Sequence, residues 1–216
     1  MSRAFLVAVA TFALAPAVGV AEEAAPSSWQ GAYVGGSIVH GQTEAMAVGG
    51  LADWIDITFP GKSHLLGTPD GTTGALRAGY DFALGPVVLG IGAEYVLGAY
   101  EGPFVDQPDS SVELREQWTV FARGGFDAGQ WMPYVLAGYT RAYGEYEGVF
   151  TNPLVIHHLE DGVEGYTLGL GAEVRVHENW SLLAEYTHTD FGNLDAFEGN
   201  ATLVLDQVKL GVNLRF

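Results

Sequence analysis

The last nine residues of the chain alternate strictly between two kinds of side chain. The apolar set is Val208, Leu210, Val212, Leu214 and Phe216, and the set between them is Lys209, Gly211, Asn213 and Arg215. A period of two places the two sets on opposite faces of a β-strand. The pattern therefore predicts a terminal strand, but it does not decide which face meets the protein interior.

The same alternation recurs along the chain and predicts eight strands. They lie near residues 30–41, 74–83, 86–99, 115–127, 132–146, 164–177, 180–191 and 208–216. The first segment is rich in glycine, and its phase stays open. Short turns join strands 2–3, 4–5 and 6–7, whereas the other connections are long, at about 42–73, 100–114, 147–163 and 192–201. This asymmetry indicates an eight-stranded antiparallel up-and-down transmembrane β-barrel with short periplasmic turns and long extracellular loops.

Charged residues recur on the face of the strands that is not apolar. Five are cations and five are anions: Arg77, Arg123, Arg141, Arg175, Lys209, Asp81, Glu94, Asp127, Glu173 and Glu185. Equal numbers are expected of charges that neutralise one another in a confined lumen. Because an eight-stranded barrel encloses little more than its own side chains, we interpret the set as a structural salt-bridge network. A narrow ion or water path is the functional alternative.

The apolar face ends in aromatic residues at both rims. Trp180, Phe126 and Phe216 lie toward the turns, and Tyr95, Trp118 and Tyr166 lie toward the loops. Such girdles are typical of barrels at the two membrane interfaces. A soluble lipocalin-like barrel, with the apolar set inside, is the alternative fold.

The amino terminus predicts export. Residues 1–21 resemble a secretory signal peptide, with Arg3, an apolar run over residues 5–15 and small residues before the predicted cleavage after Ala21. A helical anchor is the alternative, but the run is short and Pro16 interrupts it. We therefore predict a signal peptide (1–21), a short periplasmic segment (22–28) and a barrel domain (29–216) in the outer membrane.

The composition is low in charge but strongly acidic. Charged residues make up 16% of the chain, and the net charge of −17 becomes −18 without Arg3. Binding to nucleic acid is therefore not expected. The acidic excess falls in the predicted loops. It is either a solvated, repulsive surface or a site where divalent cations bridge to lipopolysaccharide phosphates, and the sequence leaves both open.

Three segments carry candidate chemistry. The run 157–161 (His-His-Leu-Glu-Asp) could bind a divalent cation, although we predict no metal or cofactor. The apolar run 53–59 is either a self-packed loop hairpin or a partner contact. His188 has hydroxyl neighbours, as a lipid A-modifying enzyme requires, but Asp190 stands where the deacylase pattern has a serine. We expect both residues at the lipid-facing rim and predict no enzyme.

Several strings resemble the porin-like, opacity-type family of small outer-membrane β-barrel proteins of Gram-negative bacteria. They are residues 29–36 (WQGAYVGG), 132–135 (MPYV), 180–186 (WSLLAEY) and 214–216 (LRF). The resemblance implies that the final strand, with Val208, Leu210, Val212, Leu214 and Phe216, is the signal that the outer-membrane assembly machinery reads. From the sequence as a whole we predict a monomer surrounded by outer-membrane lipids and lipopolysaccharide, with a structural or surface-interaction role. A narrow channel and a lipid A-modifying enzyme are the alternative functions.

Overall fold

A computed structural model describes residues 29–48, 57, 65–104, 107–151, 154–197 and 199–216. The predicted signal peptide and periplasmic segment, and the run 53–59 apart from Ile57, lie outside these residues, so the predictions made for them stay predictions. Within the described ranges, no helix is long and apolar enough to cross a membrane.

The described chain is built almost entirely of β-strands. They are β1 (Gly31–Val48), β2 (Leu65–Gly67), β3 (Asp70–Leu84), β4 (Val87–Val96), β5 (Tyr100–Phe104), β6 (Gln107–Phe126), β7 (Trp131–Thr151), β8 (Leu154–Arg175), β9 (Trp180–Phe197) and β10 (Gly199–Arg215).

Eight of these strands close into an antiparallel barrel, which confirms the predicted fold. The order around the wall is β1-β10-β9-β8-β7-β6-β4-β3, and β3 pairs with β1 to close it. The first and last strands are in register from Tyr33↔Arg215 to Val48↔Asn200. The short strands β2 and β5 add to the wall beside β1, β3 and β6. Closure leaves no open sheet edge, which a wall surrounded by lipid requires.

In the half of the barrel near the short turns, the outward side chains are mostly apolar, whereas the charged and most polar side chains point inward. On β10, Val208, Leu210, Val212 and Phe216 are exposed on the outer surface, whereas Lys209 is buried inside. The aromatic residues assigned to the two rims also point outward; they are Trp180, Phe126, Phe216, Tyr95, Trp118 and Tyr166. The open phase of the first strand is settled as well, because Tyr33, Ser37 and Val39 lie inside and Val34 and Ile38 lie outside.

The predicted long loops are the main correction to the sequence analysis. Residues 147–163 and 192–201 were assigned to loops, but β7 continues to Thr151, β8 begins at Leu154, and β9 and β10 together leave only residue 198 between them. The region 100–114 likewise contains β5 and the start of β6. Much of the chain between the predicted strands is therefore part of the paired wall.

The difference has a physical cause, which is that the apolar residues move from the outward to the inward face along a strand, as β9 and β10 show. On β9 the apolar residues Leu182, Ala184 and Tyr186 face outward, but beyond them His188 and Asp190 face outward and Phe191 faces inward. On β10 the inward residues likewise change from Lys209 and Gln207 to Leu205 and Leu203 (buried). The alternation does not stop; its apolar set moves to the other face. An interrupted pattern was therefore mistaken for the end of a strand.

This change in which face is apolar divides the wall into two zones. In the zone near the turns, five outward apolar side chains lie on β8, and five more lie on β10 together with Phe216, which follows it; the two sets end at Tyr166 and Val208. About ten residues at ~3.3 Å, tilted by about 40°, span about 25 Å, the height of the apolar band of an outer-membrane barrel. We call the zone beyond it, with apolar side chains inside and polar ones outside, the extension. Beyond Arg141, β7 runs ten residues further into it.

We predict that thiols placed in the two zones differ in their reaction with labelling reagents. The test is simple because the chain has no cysteine of its own. Two outward positions on β8 are compared as single variants in lipid bilayers. We expect Glu164→Cys to react rapidly with a membrane-impermeant maleimide because it lies beyond the apolar band. Leu170→Cys should react only with a lipid-soluble maleimide. Equal reaction of both thiols with the impermeant reagent would show that the change from apolar to polar outward residues does not mark the membrane boundary.

Candidate functional site

The lumen of the apolar-band zone is filled by two rings of buried charges. Each ring contains two cations and two carboxylates, and each cation contacts both carboxylates. We call the ring nearer the turns the lower quartet; it consists of Asp81, Arg123, Glu173 and Arg215. The ring farther from the turns is the upper quartet and consists of Arg77, Glu94, Glu185 and Lys209.

The lower quartet is held together by short, charge-assisted hydrogen bonds. Arg123 donates to Asp81 at 2.6 Å and to Glu173 at 2.6 Å. Arg215 donates to Asp81 at 2.6 Å and reaches Glu173 at 3.4 Å. Glu173 accepts two further hydrogen bonds at 2.8 Å, from Ser181 and Asn213. Such geometry offsets the large cost of taking ions out of water.

The upper quartet repeats this design with a lysine in place of one arginine. Arg77 contacts Glu94 and also donates to Glu185 at 2.9 Å. Lys209 contacts the same two carboxylates, at 3.4 Å in the case of Glu185. The Tyr134 hydroxyl donates to Glu185 at 2.8 Å. The four charges sum to zero in this ring and also in the lower one.

Aromatic rings fill the space around the quartets. The Arg123 guanidinium lies 4.5 Å from the centroid of Tyr33 and 5.1 Å from that of Tyr134. At the turn end, Trp29 closes the lumen: its ring lies beneath Arg175 and Arg215, and its indole N–H donates to the Gly129 carbonyl at 3.1 Å. Nearby apolar side chains complete this packing; they are Val88, Phe121, Met132, Leu136 and Leu183.

A belt of hydroxyl groups lies above the quartets. The hydroxyls of Thr119, Thr140, Thr167 and Thr189 are joined in a chain across β6, β7, β8 and β9, with distances of 2.7, 2.5 and 2.8 Å. Beyond the belt, the lumen is filled by an apolar cluster that includes Val39, Val96, Tyr100, Leu114, Ala142, Val163, Phe191, Leu203 and Leu205. The described lumen is thus occupied in sequence by an aromatic stopper, two ionic rings, a hydroxyl belt and an apolar core.

The structure brings together seven of the ten charged residues predicted for the lumen: Arg77, Asp81, Glu94, Arg123, Glu173, Glu185 and Lys209. The eighth member of the quartets, Arg215, was not among the ten, although it alternates on the same face of the terminal strand as Lys209. Asp127 lies at the turn after β6, where it accepts a hydrogen bond from the Gly129 backbone. Arg175 ends β8 and packs on Trp29.

The prediction that Arg141 lies in the lumen is wrong. Its side chain points outward and is 39% exposed, 3.5 Å from Glu164. The cause is the phase of β7, in which Tyr134, Leu136 and Thr140 are inside. Because that strand carries large side chains on both faces, alternation alone gave it no clear inward set.

The other candidate residues are placed as follows. His188 and Asp190 lie outside at the rim, and His188 Nδ1 is 2.8 Å from Asp206. The hydroxyls of Thr187 and Thr189 are buried on the opposite face of β9, so neither is placed to be activated by His188. The side chains of residues 157–161 lie outside the described residues. Among those described, no three His, Asp or Glu side chains are grouped to hold a metal.

Sequence reasoning missed most of the uncharged parts of the lumen. Trp29 belongs to the N-terminal string on which the resemblance rests, but the sequence did not predict that it closes the lumen, nor that the four threonines form a belt. The signal for the hydroxyl belt was one threonine at the inner boundary of four consecutive strands. The five outward residues of the terminal strand lie where predicted, and their role as an assembly signal stays a prediction.

Comparison with known proteins gives consistent matches. A family model described as outer membrane protein beta-barrel domain matches residues 10–216. The 31 kDa outer-membrane immunogenic protein of Brucella melitensis is 28% identical over 236 residues, which cover 96% of this chain and 95% of that protein. The 22 kDa outer membrane protein of Rhizobium leguminosarum bv. viciae is 27% identical over 198 residues, which cover 88% and 79%. The crystal structure of Neisserial surface protein A superposes with a TM-score of 0.53 at 16% identity and covers 87% of this chain and 98% of that one.

The quartets predict that replacing a buried arginine and replacing an exposed one will lower the free energy of unfolding by very different amounts. Arg123→Met should lower the free energy of unfolding by about 3–5 kcal/mol, because it leaves buried carboxylates without a cation. The same change at outward-facing Arg141 should cost less than about 1 kcal/mol, since an exposed pair contributes little. Urea unfolding in lipid vesicles, followed by tryptophan fluorescence, measures both. Similar losses for the two variants would contradict the assignment of the charge network.

Proposed function

Since this chain belongs to the outer membrane protein beta-barrel domain family and is an outer-membrane protein, we propose that it works there as a sealed, monomeric barrel. In this proposal the membrane-spanning zone is an anchor and not a passage. The part that acts is the extension, which carries a structural or surface-interaction role on the outside of the cell.

The observation that carries the proposal is the filled lumen. Every cation of the two quartets contacts both carboxylates of its own ring, and the eight side chains are almost completely buried. An ion crossing the barrel would have to break these pairs in both rings and then cross the apolar cluster above them. Buried pairs opened in this way cost several kcal/mol each. Passive diffusion of solutes is therefore disfavoured at three successive levels.

A second observation supports a role for the extension. A barrel that served only as a membrane plug would need strands of about ten residues, yet β7 and β8 are 21 and 22 residues long. They stay paired up to Thr151↔Leu154. Beyond the apolar band, the outward positions of β1 and β3 include exposed Gln42, Glu44, Asp70 and Thr72, as suits a surface in water.

A monomer is favoured by the way the barrel closes. The chain supplies every strand of its own wall, and β1 pairs with β10 over sixteen residue pairs. No second copy is needed to satisfy an edge strand.

Reconstitution in a planar lipid bilayer tests the sealed lumen. We expect purified protein to produce no stepwise conductance, because the two quartets and the apolar cluster block the path. A sixteen-stranded porin in the same bilayer serves as the positive control. Discrete conductance steps in the wild-type protein that disappear in Arg123→Met or Glu173→Gln would overturn the proposal and support a narrow channel.

Shortening one hairpin tests the extension. Because Tyr143 and Gly162 are paired, residues 144–161 can be replaced by an Asn-Gly turn that preserves the register. The shortened protein should still enter the outer membrane and keep heat-dependent migration on a denaturing gel. In a deletion strain it should fail to restore the surface attachment or detergent resistance that the full-length chain restores. Full restoration at equal protein level would show that this extension does not carry the function.

A further inference from the structure

The outer wall has a groove at the level where the apolar band ends. It has a volume of about 610 Å³ and lies across β7, β8 and β9. Tyr139, Glu164, Tyr166, Leu168, His188 and Asp190 line it, together with Gly165 and Gly192. The volume is in the range of small-ligand sites. The groove opens outward, on the opposite side of the wall from the quartets.

Two tyrosines form the aromatic part of the groove. Tyr139 and Tyr166 are paired across β7 and β8, and their rings meet edge to face with centroids 6.1 Å apart. Trp118 packs on the far side of Tyr139 at 6.4 Å. Tyr166 nevertheless keeps 75% of its surface exposed. The negative face of a tyrosine ring attracts cations, and ammonium groups above all.

Carboxylates provide the second feature of the groove. Glu164 accepts a hydrogen bond from the Tyr139 hydroxyl, and its side chain is 50% exposed. Asp190, paired with Tyr166 in the register, is exposed and accepts a hydrogen bond from the Gly192 backbone at 2.8 Å. Asp206 lies beside His188 on the next strand. Against the two carboxylates that line the groove, Glu164 and Asp190, stands Arg141, 3.5 Å from Glu164, so the groove is complementary to a cation.

Two glycines lie at the groove, and they contribute to its shape in different ways. Gly192 has φ +67°, and a Cβ added there would meet nothing within 4 Å. A Cβ at Gly165 would lie 2.4 Å from the Asp190 carbonyl, so any other residue would push β8 and β9 apart. A side chain at Gly192 would occupy open space beside Asp190, whereas Gly165 lies on the buried face of β8 and permits the close approach of the two strands.

The position of the groove determines the kind of ligand. Below it, Leu168 and Leu170 continue the outward apolar surface of β8 into the band that faces lipid. A ligand seated there would place its charged end against Glu164 and Asp190 and its apolar end along these leucines. We propose that the groove binds a membrane lipid whose head group carries an ammonium group. This goes beyond the role proposed for the extension and does not depend on it.

Native mass spectrometry of the full chain in a neutral detergent tests this site. The probes are phosphatidylethanolamine and phosphatidylglycerol with identical acyl chains, which differ in the ammonium group. We expect the wild-type protein to retain phosphatidylethanolamine about five-fold better, the preference that about 1 kcal/mol of cation–aromatic and ionic attraction gives. This comparison needs no variant. Equal retention, or a preference for phosphatidylglycerol, would overturn the proposal.

Matched variants then locate the binding. Glu164→Gln and Tyr166→Ala should each remove most of the preference for phosphatidylethanolamine. Glu101→Gln and Tyr95→Ala make the same changes at exposed positions outside the groove and should leave it unchanged. A preference lost equally in the control variants, or one that requires added calcium, would refute recognition of an ammonium group by this groove. All four substituted side chains face outward, and heat-dependent migration on a denaturing gel verifies that each variant has folded.

Discussion

The neutrality of the two charge quartets is the constraint on which the rest of the barrel depends. Eight ionised side chains are buried inside the wall, and each would be costly alone. Their mutual attraction offsets the cost of burial only if the strands keep their register, because the partners come from different strands. In the upper quartet, Arg77 comes from β3, Glu94 from β4, Glu185 from β9 and Lys209 from β10. A shift of one residue on any of these strands would turn a charge toward lipid.

The quartets also explain how the lumen of the apolar-band zone is filled. The guanidinium groups bind in a fixed planar geometry to two carboxylates at once, and Tyr33 and Tyr134 pack against Arg123. With Trp29 below and the apolar cluster above, close packing extends along the described lumen. In the function proposed above, this interior supports the extension.

Much of this architecture was predictable from the sequence. The alternation of side chains, the unequal lengths of the connections and the balanced charges were sufficient to predict an eight-stranded membrane barrel. They also predicted both aromatic rims and seven of the eight quartet members. Each prediction succeeded where one face of a strand is apolar and the other is not. Prediction failed for Arg141, because β7 has large residues on both faces, and for the long loops, where the apolar set changes face. Both failures share one cause: alternation indicates a strand but does not identify the environment on either side.

The terminal strand shows what the sequence determined by itself and what only the tertiary structure decided. Its sequence established that Val208 to Phe216 is a strand with two chemically distinct faces, because a period of two is a local property of the backbone. The sequence could not show that Lys209 and Arg215 join different rings, or that Leu205 and Leu203 continue the strand with reversed faces. Those facts depend on which strands close the barrel and on where lipid gives way to water. Only the tertiary structure decides them, because partners and surroundings come from residues distant in the chain.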